Sequence, residues 1–229
     1  MADGPGVLSG AESGATEADP AALEAGRLLF AQDCRFVAGA TNAGALPPPS
    51  LPEIAFAGRS NVGKSSLVNA LTGRRTLARV SNTPGRTQQI NFFDLGGRLT
   101  LVDLPGYGYA AAGRSKVHAW SALIALYLKG RPSLRRLCLL IDARHGLKAI
   151  DRETMAELDR AALSYQILLT KADKVTADGL AAVRQAIAAE AGRRKAAHPE
   201  ILATSAVDGS GIAELRAELA ALSSPNPLR

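Results

Sequence analysis

The sequence predicts an α/β fold of three layers, in which a mostly parallel six-stranded sheet with one antiparallel strand lies between two layers of helices. Two observations predict it. Short apolar segments, each of a length suited to a buried strand, alternate with longer segments of helical periodicity. Two of the apolar segments are separated by little more than Gly96-Gly97, a hairpin signal that makes one strand antiparallel to its neighbour.

Continuous apolar segments give the strands, because strands of a parallel sheet are buried on both faces. The predicted strands are residues 53–57, 90–95, 99–103, 137–142, 165–170 and 201–204. The predicted helices between them are residues 64–72, 115–128, 151–163, 176–194 and 212–222. In the fourth of these helices Leu180, Val183 and Ile187 fall on one face, as expected of a helix packed on a sheet.

The ends of the chain differ in composition from its middle. Residues 1–20 contain mainly Gly, Ala, Ser and acids without periodicity, so we expect a disordered acidic tail. Residues 21–52 are expected to hold a short helix at 21–30, an edge segment at 34–38 and a proline-rich linker. Residues 53–223 then form one folded domain, and residues 224–229 a C-terminal tail.

The charge is unevenly placed along the 229 residues. The formal net charge is +6, but the first 24 residues carry five acids and no basic residue, which leaves 27 Lys and Arg against 16 acids in the rest, a net +11. Such a surplus favours a polyanionic partner, RNA above all, although basic residues also serve to keep a domain soluble. No signal peptide and no apolar run of membrane-spanning length is present, so we expect a cytoplasmic protein that does not bind membranes. We also expect a monomer.

A phosphate-binding loop is predicted at residues 58–65, GRSNVGKS, which fit G-x-x-x-x-G-K-[ST] at every fixed position. The segment follows a predicted strand and precedes a predicted helix, which favours this interpretation over an ordinary glycine-rich turn. Lys64 is expected to reach the β- and γ-phosphates, Ser65 to coordinate Mg²⁺, and Ser66 to contact the α-phosphate. The predicted phosphate-binding residues here are Gly58, Arg59, Ser60, Asn61, Val62, Gly63, Lys64, Ser65 and Ser66.

A second motif, D-x-x-G, follows the strand at 99–103. The Asp103 carboxylate can hold a magnesium-bound water, and the Gly106 N–H can meet the γ-phosphate. The motif is weak alone, but its place at the end of a strand after the phosphate loop makes it much stronger. The predicted residues are Asp103, Leu104, Pro105 and Gly106.

The nucleotide base is predicted to be guanine. The strand at 165–170 leads into Thr170-Lys171-Ala172-Asp173, where the Asp173 carboxylate can accept hydrogen bonds from guanine N1–H and its 2-amino group. Adenine offers neither donor there. An ordinary solvated loop would be the simpler interpretation of this motif alone, but three motifs in the correct order outweigh it. The predicted base-site residues are Thr170, Lys171, Ala172, Asp173, Thr204, Ser205 and Ala206.

With these motifs the chain resembles the EngB (YihA, YsxC) family of bacterial GTPases, in the Era-like branch, over about residues 36–222. The resemblance rests on residues 52–67 (PEIAFAGRSNVGKSSL), 77–93 (LARVSNTPGRTQQINFF), 101–110 (LVDLPGYGYA), 139–146 (LLIDARHG) and 169–174 (LTKADK). It implies a P-loop GTPase domain that binds GTP or GDP with Mg²⁺ and assists assembly of the large ribosomal subunit, with a link to normal septation and division.

The resemblance also implies roles for single residues. Thr87 would be the switch I magnesium ligand, bound only while the γ-phosphate is present. The predicted nucleotide-contacting residues of this stretch are Gly85, Arg86, Thr87, Gln88 and Gln89. Lys64, Thr87 and Gly106 are then the predicted catalytic residues. The base motif begins with threonine, where most GTPases have asparagine. The resemblance implies that threonine is usual in this family.

Two positions bear on the rate of hydrolysis. Tyr107 stands where Ras-like enzymes carry the glutamine that orients the attacking water, so we expect slow GTP hydrolysis. A packing role for Tyr107 is compatible with that expectation. Asn61 resembles the P-loop asparagine of relatives that potassium stimulates, so K⁺ is a candidate second cofactor. The alternative is that Asn61 only satisfies the loop backbone.

Three functions compete at this point. The first is a GTP-operated switch that docks on a large-subunit precursor, with rRNA and ribosomal proteins as partners. The second is a GTP-gated binding module for division proteins, with incidental hydrolysis. The third is a metabolic P-loop kinase or ATPase. The base-site segments at 170–173 (TKAD) and 204–206 (TSA) argue against it. Five arginines on the nucleotide side fit a face for rRNA: Arg59, Arg74, Arg75, Arg79 and Arg86.

Overall fold

The computed structural model of the protein describes residues 19–74, 77, 89–107 and 123–224. Its strands are β1 (Cys34–Ala40), β2 (Glu53–Gly58), β3 (Ile90–Leu95), β4 (Leu99–Asp103), β5 (Leu134–Asp142), β6 (Tyr165–Thr170) and β7 (Leu202–Ala203). Its helices are α1 (Pro20–Phe30), α2 (Lys64–Thr72), α3 (residues 123–129), α4 (Ala149–Arg160), α5 (Ala177–Ala191) and α6 (Ile212–Ala221). Single helical turns occupy Ala43–Ala45 and Ala172–Lys174.

The strands form one sheet in the order β1-β3-β4-β2-β5-β6-β7. β3 runs antiparallel to both of its neighbours, and every other pairing is parallel, so the predicted single antiparallel strand is confirmed. The predicted number of six strands is wrong, because the described residues contain seven. The additional strand is β1, predicted only as an edge segment, which pairs with β3 along its whole length across a bulge between Phe36 and Ala38.

Helices cover both faces of the sheet, which confirms the predicted three layers. Side chains that alternate along β2 point to opposite faces. Ile54 and Phe56 belong to a core shared with α1, α2 and α6, whereas Ala55 and Ala57 belong to a core shared with α3, α4 and α5. Because β2 lies near the middle of the sheet and is buried throughout, its last residue begins a loop that rigid layers hold on both sides.

The N-terminal helix α1 packs closely against α6. Gly26 is buried at the crossing, where an added Cβ atom would lie 2.6 Å from the Ala217 nitrogen. From α6 the Arg216 guanidinium lies over the Phe30 ring, 5.9 Å from its centre. The same guanidinium donates to the carbonyl oxygens of Ala70 and Leu71 at 3.0 and 2.9 Å, at the end of α2. Residues 20–40 thus contribute helix α1 and strand β1 to the same sheet-and-helix unit as the later elements. The predicted domain boundary at residue 53 stays a prediction.

Helix α4 begins at Ala149, two residues before the predicted start, because the Asp151 side chain caps it. The Lys148 N–H donates to Asp151 Oδ2 at 2.9 Å, in a capping box. The helix ends at Arg160 instead of residue 163, and Ala162 takes a left-handed conformation with φ 51°. The remaining differences are shifts of a few residues. β5 begins at Leu134, and β7 is limited to two residues.

Both cysteines, Cys34 and Cys138, are buried free thiols. Burial raises the pKa of Cys34 to about 11 and that of Cys138 to about 12, so neither is a reactive thiolate at neutral pH. Within the described ranges, no helix combines the length and the apolar character needed to cross a bilayer.

We predict that Gly26→Ala destabilises the protein. Alanine in place of glycine within a helix normally stabilises by about 1 kcal/mol. At Gly26 the methyl group would overlap the backbone of α6, and we expect a net loss of about 1 to 3 kcal/mol. Gly130→Ala is the matched control, because its added Cβ atom would meet the Leu126 oxygen at an ordinary 3.6 Å. The free energy of unfolding in urea measures both variants. An equal or greater stability of Gly26→Ala would contradict the close packing of α1 on α6.

Candidate functional site

The predicted motifs meet at one edge of the sheet. Strands β2, β4, β5 and β6 are parallel to one another, so their carboxyl ends lie on the same side. At these ends stand Gly58, Asp103, Asp142 and Thr170. The loops that follow β2, β4 and β6 are the phosphate loop, the D-x-x-G loop and the base loop of the sequence prediction.

The phosphate loop takes a conformation that depends on its glycines. Gly63, with φ 108°, precedes the first residue of α2, and a Cβ atom on Gly58 would lie 2.8 Å from the Val62 side chain. Asn61 is left-handed with φ 64°, a conformation that asparagine tolerates better than most residues. The loop therefore leads directly into the N-terminus of α2, whose first N–H groups have no partners within the helix and suit an anion.

The D-x-x-G loop is joined to the phosphate loop by an ion pair. Lys64 Nζ donates to Asp103 Oδ1, and both side chains are nearly buried. Ser65, the next residue along α2, adds a hydroxyl group to the same first turn of the helix as Lys64. Mg²⁺ prefers oxygen ligands of this kind, and the donor set therefore fits the predicted ion.

Tyr107 connects three elements of the site. Its N–H donates to the Gly58 oxygen and its carbonyl accepts from the Ser60 N–H, both at 3.1 Å, which extends the pairing of β2 with β4. Its hydroxyl donates to Asp151 Oδ1 at 2.9 Å. Burial and the neighbouring Asp151 charge raise the pKa of Tyr107 well above its usual range, so the hydroxyl stays protonated.

Asp151, which the sequence analysis did not identify as a site residue, lies fully buried at the start of α4. In addition to the Tyr107 hydroxyl and the Lys148 N–H, its carboxylate pairs with Arg59 Nε at 3.2 Å. Arg59 belongs to the phosphate loop. One carboxylate thus ties the phosphate loop and the residue after D-x-x-G to α4.

The base loop is attached to the phosphate loop through two hydrogen bonds. The Thr170 hydroxyl donates to the Val62 oxygen at 2.6 Å, and Lys171 Nζ donates to the Asn61 oxygen at 2.7 Å. Lys171 has a left-handed backbone with φ 58°, which turns the chain sharply at the end of β6. The threonine at the start of the motif therefore makes the link to the phosphate loop with its hydroxyl group.

Asp142, at the end of β5, is a second residue that the sequence analysis did not single out. Its Oδ2 atom accepts from Lys171 Nζ at 2.9 Å, and the Arg144 guanidinium donates to both carboxylate oxygens at 2.9 and 2.8 Å. Burial alone would raise the pKa of Asp142, but the hydrogen bonds from Arg144 and Lys171 outweigh it and hold the pKa below its ordinary range. The carboxylate is therefore charged at neutral pH.

Asp173 is held in place by the loop after β7. The Ser205 hydroxyl donates to Asp173 Oδ1 at 2.8 Å, and Lys174 Nζ lies 3.2 Å from Oδ2. The Ser205 hydrogen bond is the main reason that the pKa of Asp173 is lowered. The Ala172 N–H also donates to the Thr204 oxygen at 3.1 Å, so the two predicted parts of the base site are in contact.

Part of the predicted site lies outside the described residues. This applies to Gly85, Arg86, Thr87 and Gln88, so the switch I ligand stays a prediction. Gln89 is described and stands directly before β3, where its side-chain amide donates to Asn91 Oδ1 at 2.8 Å. Ala206 is exposed after the buried Thr204 and Ser205.

Comparison with known proteins identifies relatives of this chain. A family model described as "50S ribosome-binding GTPase" matches residues 53–171. The "Probable GTP-binding protein EngB" of Rhodospirillum rubrum is 59% identical over 209 residues, 89% of this chain and 90% of that protein. The protein of that name in Cereibacter sphaeroides is 54% identical over 90% of this chain and 95% of its own. A crystal structure of a probable GTP-binding protein EngB has a TM-score of 0.58 at 23% identity and covers 74% of this chain and 97% of that one.

We predict that Tyr107→Phe lowers the free energy of unfolding by about 1.5 to 3 kcal/mol, because it removes a hydrogen bond to a buried carboxylate. Tyr165→Phe is the matched control, since the buried Tyr165 hydroxyl has no hydrogen-bond partner in the described part of the chain. We expect that variant to be neutral or slightly stabilised. Urea unfolding without nucleotide compares the two, and equal losses would argue against a significant Tyr107–Asp151 bond.

Proposed function

Because the chain belongs to the EngB family of GTP-binding proteins, we propose that it is a magnesium-dependent GTPase of low intrinsic rate that acts as a switch in large-subunit assembly. Normal septation and division would depend on that role. We further propose that it works in the cytoplasm as a monomer, with GTP and GDP as ligands and the large-subunit precursor as partner.

The attachment of the base loop to the phosphate loop carries this proposal. A nucleotide has a fixed distance between its base and its phosphates, so a selective site must hold both loops at a fixed separation. The bonds from Thr170 to Val62 and from Lys171 to Asn61 do so. Asp173, fastened by Ser205, then offers its carboxylate to guanine N1–H and the 2-amino group.

Phosphate binding requires Lys64 to change partners. Its ammonium now pairs with Asp103, and a bound triphosphate offers it oxygens of higher negative charge. We propose that Ser65 and Thr87 hold Mg²⁺ directly and Asp103 holds it through water, where the ion would supply positive charge to the phosphate oxygens. Lys64 is then free to bind the β- and γ-phosphates, and the Gly106 N–H to bind the γ-phosphate.

The low rate follows from the place of Tyr107. Its hydroxyl is committed to Asp151, so it is not directed at a water molecule on the phosphate side. Help for hydrolysis must therefore come from elsewhere. Its source is either the large-subunit precursor on which the protein docks or a positive charge placed near Asn61. We propose K⁺ as that charge, and the exposed Asn61 as one of its ligands.

The ribosomal partner is supported by the family description and by charge. The matching model is described as a 50S ribosome-binding GTPase, and outside the acidic first 24 residues the chain carries a net charge of +11. Such a surplus favours a polyanionic partner, RNA above all.

We predict that Asp173→Asn exchanges guanine for xanthine selectivity. Xanthine carries a carbonyl oxygen where guanine has its 2-amino group, so the asparagine amide can donate to xanthine but is mismatched with guanine. We expect GTP affinity to fall by at least about 100-fold, roughly 3 kcal/mol, and XTP to bind well. Titration calorimetry measures both nucleotides. Asp178→Asn, an exposed change at the start of α5, is the control and should bind GTP like the unchanged protein. Undiminished GTP binding by Asp173→Asn would remove Asp173 from the base site.

We predict that the protein sediments with large-subunit precursors in cell extracts supplied with GTP and leaves them when GTP is depleted. The Asp173→Asn variant should sediment with them only when XTP is added, because the switch responds to occupancy of this one site. Sucrose-gradient fractions probed for the protein give the result. Nucleotide-dependent association with division proteins, together with absence from the ribosomal fractions, would favour the alternative of a GTP-gated binding module.

A further inference from the structure

Asp142 lies between two cations beside the proposed guanine site. Its side chain is only 6% exposed, whereas that of Lys171 is 28% and that of Arg144 41% exposed. The carboxylate accepts from Lys171 through Oδ2 and from Arg144 through both oxygens. It is thus a nearly buried anion with two partly exposed cations as partners.

The second carboxylate in this region is Asp173, and Arg144 is within its electrostatic reach. The pKa of Arg144 is raised first by the hydrogen bonds and the charge of Asp142, and to a smaller degree by the charge of Asp173. Asp173 is thus a second negative charge near the guanidinium. In the structure it is bound to Asp142, while Asp173 is bound to Ser205 and Lys174.

We propose that Asp142 is a positioning residue for guanine selectivity. It holds the Lys171 ammonium beside the phosphate loop, and it keeps the Arg144 guanidinium away from the Asp173 carboxylate. Asp173 can then accept both donors of guanine. This inference rests on the proposed function, because it assumes that Asp173 reads the base.

Loss of the Asp142 charge would have two consequences. Lys171 would retain the Asn61 carbonyl as its acceptor but lose its counter-charge, so its stem would be placed less firmly against the base. Arg144 would lose its bidentate carboxylate partner, and a guanidinium readily forms such a pair with another carboxylate. A pair with Asp173 would occupy the same two oxygens that guanine needs.

The test uses GTP and ITP, because inosine lacks only the 2-amino group. The ratio of their affinities reports the hydrogen bond between that group and Asp173, and a general loss of stability would not change it. We expect Asp142→Asn to lower the GTP-to-ITP ratio by at least about 10-fold. We expect Arg144→Gln alone to preserve the ratio, and the double variant Asp142→Asn with Arg144→Gln to restore most of it. Titration calorimetry on the full chain supplies the dissociation constants.

A control variant and a second substitution keep the outcomes distinct. Asp159→Asn removes an acid that pairs with Arg194 and belongs to neither the phosphate nor the base motif, and it should leave the ratio unchanged. If Asp142→Asn is too unstable to purify, Asp142→Ser retains one acceptor and should lower the ratio in the same direction. Equal affinities of the wild-type protein for GTP and ITP would refute the proposed guanine site itself. If the unchanged protein prefers GTP, equal losses for both nucleotides in Asp142→Asn, or a lowered ratio that Arg144→Gln does not restore, would overturn the role of Asp142.

Discussion

The phosphate loop and the base loop follow different strands, and a buried hydrogen bond from the Thr170 hydroxyl to the Val62 carbonyl oxygen fixes one against the other. β5 lies between these strands in the sheet, so the sheet alone sets only their approximate separation. The side chain of threonine is stiff because it branches at Cβ, which suits a hydroxyl that must remain in one place. The ammonium of Lys171 adds a second bond one residue away. The rest of the site depends on this junction, since neither loop could bind its part of a nucleotide correctly if the other were displaced.

The charged groups around the junction divide into two kinds. Asp103, Asp142 and Asp151 are nearly buried, and each is paired with a cation from another loop or from its own. Removing one member of such a pair leaves an uncompensated buried charge, which is typically far more costly than losing a surface ion pair. Asp173 differs because it is held by a hydroxyl group and by the exposed Lys174. A carboxylate of that kind retains acceptor capacity for a ligand, so the buried pairs form the frame and Asp173 is suited to recognition.

The sequence predicted β3, β4, β6 and α2 with the bounds that the structure shows, because apolar runs and glycines mark these elements locally. It missed β1 as a full strand, since an edge strand with exposed Phe36 and Val37 has little apolar patterning and forms through its pairing with β3. The phosphate and base motifs could be recognised because each is a short local pattern, and the structure brings them to one edge of the sheet, while their contacts with a nucleotide stay predictions. The contacts of Asp142 and Asp151 could not, because their partners Lys171, Tyr107 and Arg59 are distant in sequence. A signal for Asp142 was nevertheless present: like Asp103, it is a carboxylate that ends an apolar strand.

Tyr107 shows how one residue can serve both packing and the site. Its backbone continues the pairing of β2 with β4, so it fixes the position of the neighbouring Gly106, and its hydroxyl joins the carboxylate that caps α4. Gly106 packs so closely on Ser60 that an added Cβ atom would lie 3.0 Å from the Ser60 backbone. Because Tyr107 follows Gly106 directly, the position of Gly106 and the bond between Tyr107 and Asp151 are linked through one peptide unit. Asp151 in turn pairs with Arg59 and caps the first turn of α4, so one carboxylate links Gly106, the phosphate loop and that helix. Packed elements tend to have discrete arrangements instead of deforming continuously, so linked contacts of this kind would suit the switch proposed above.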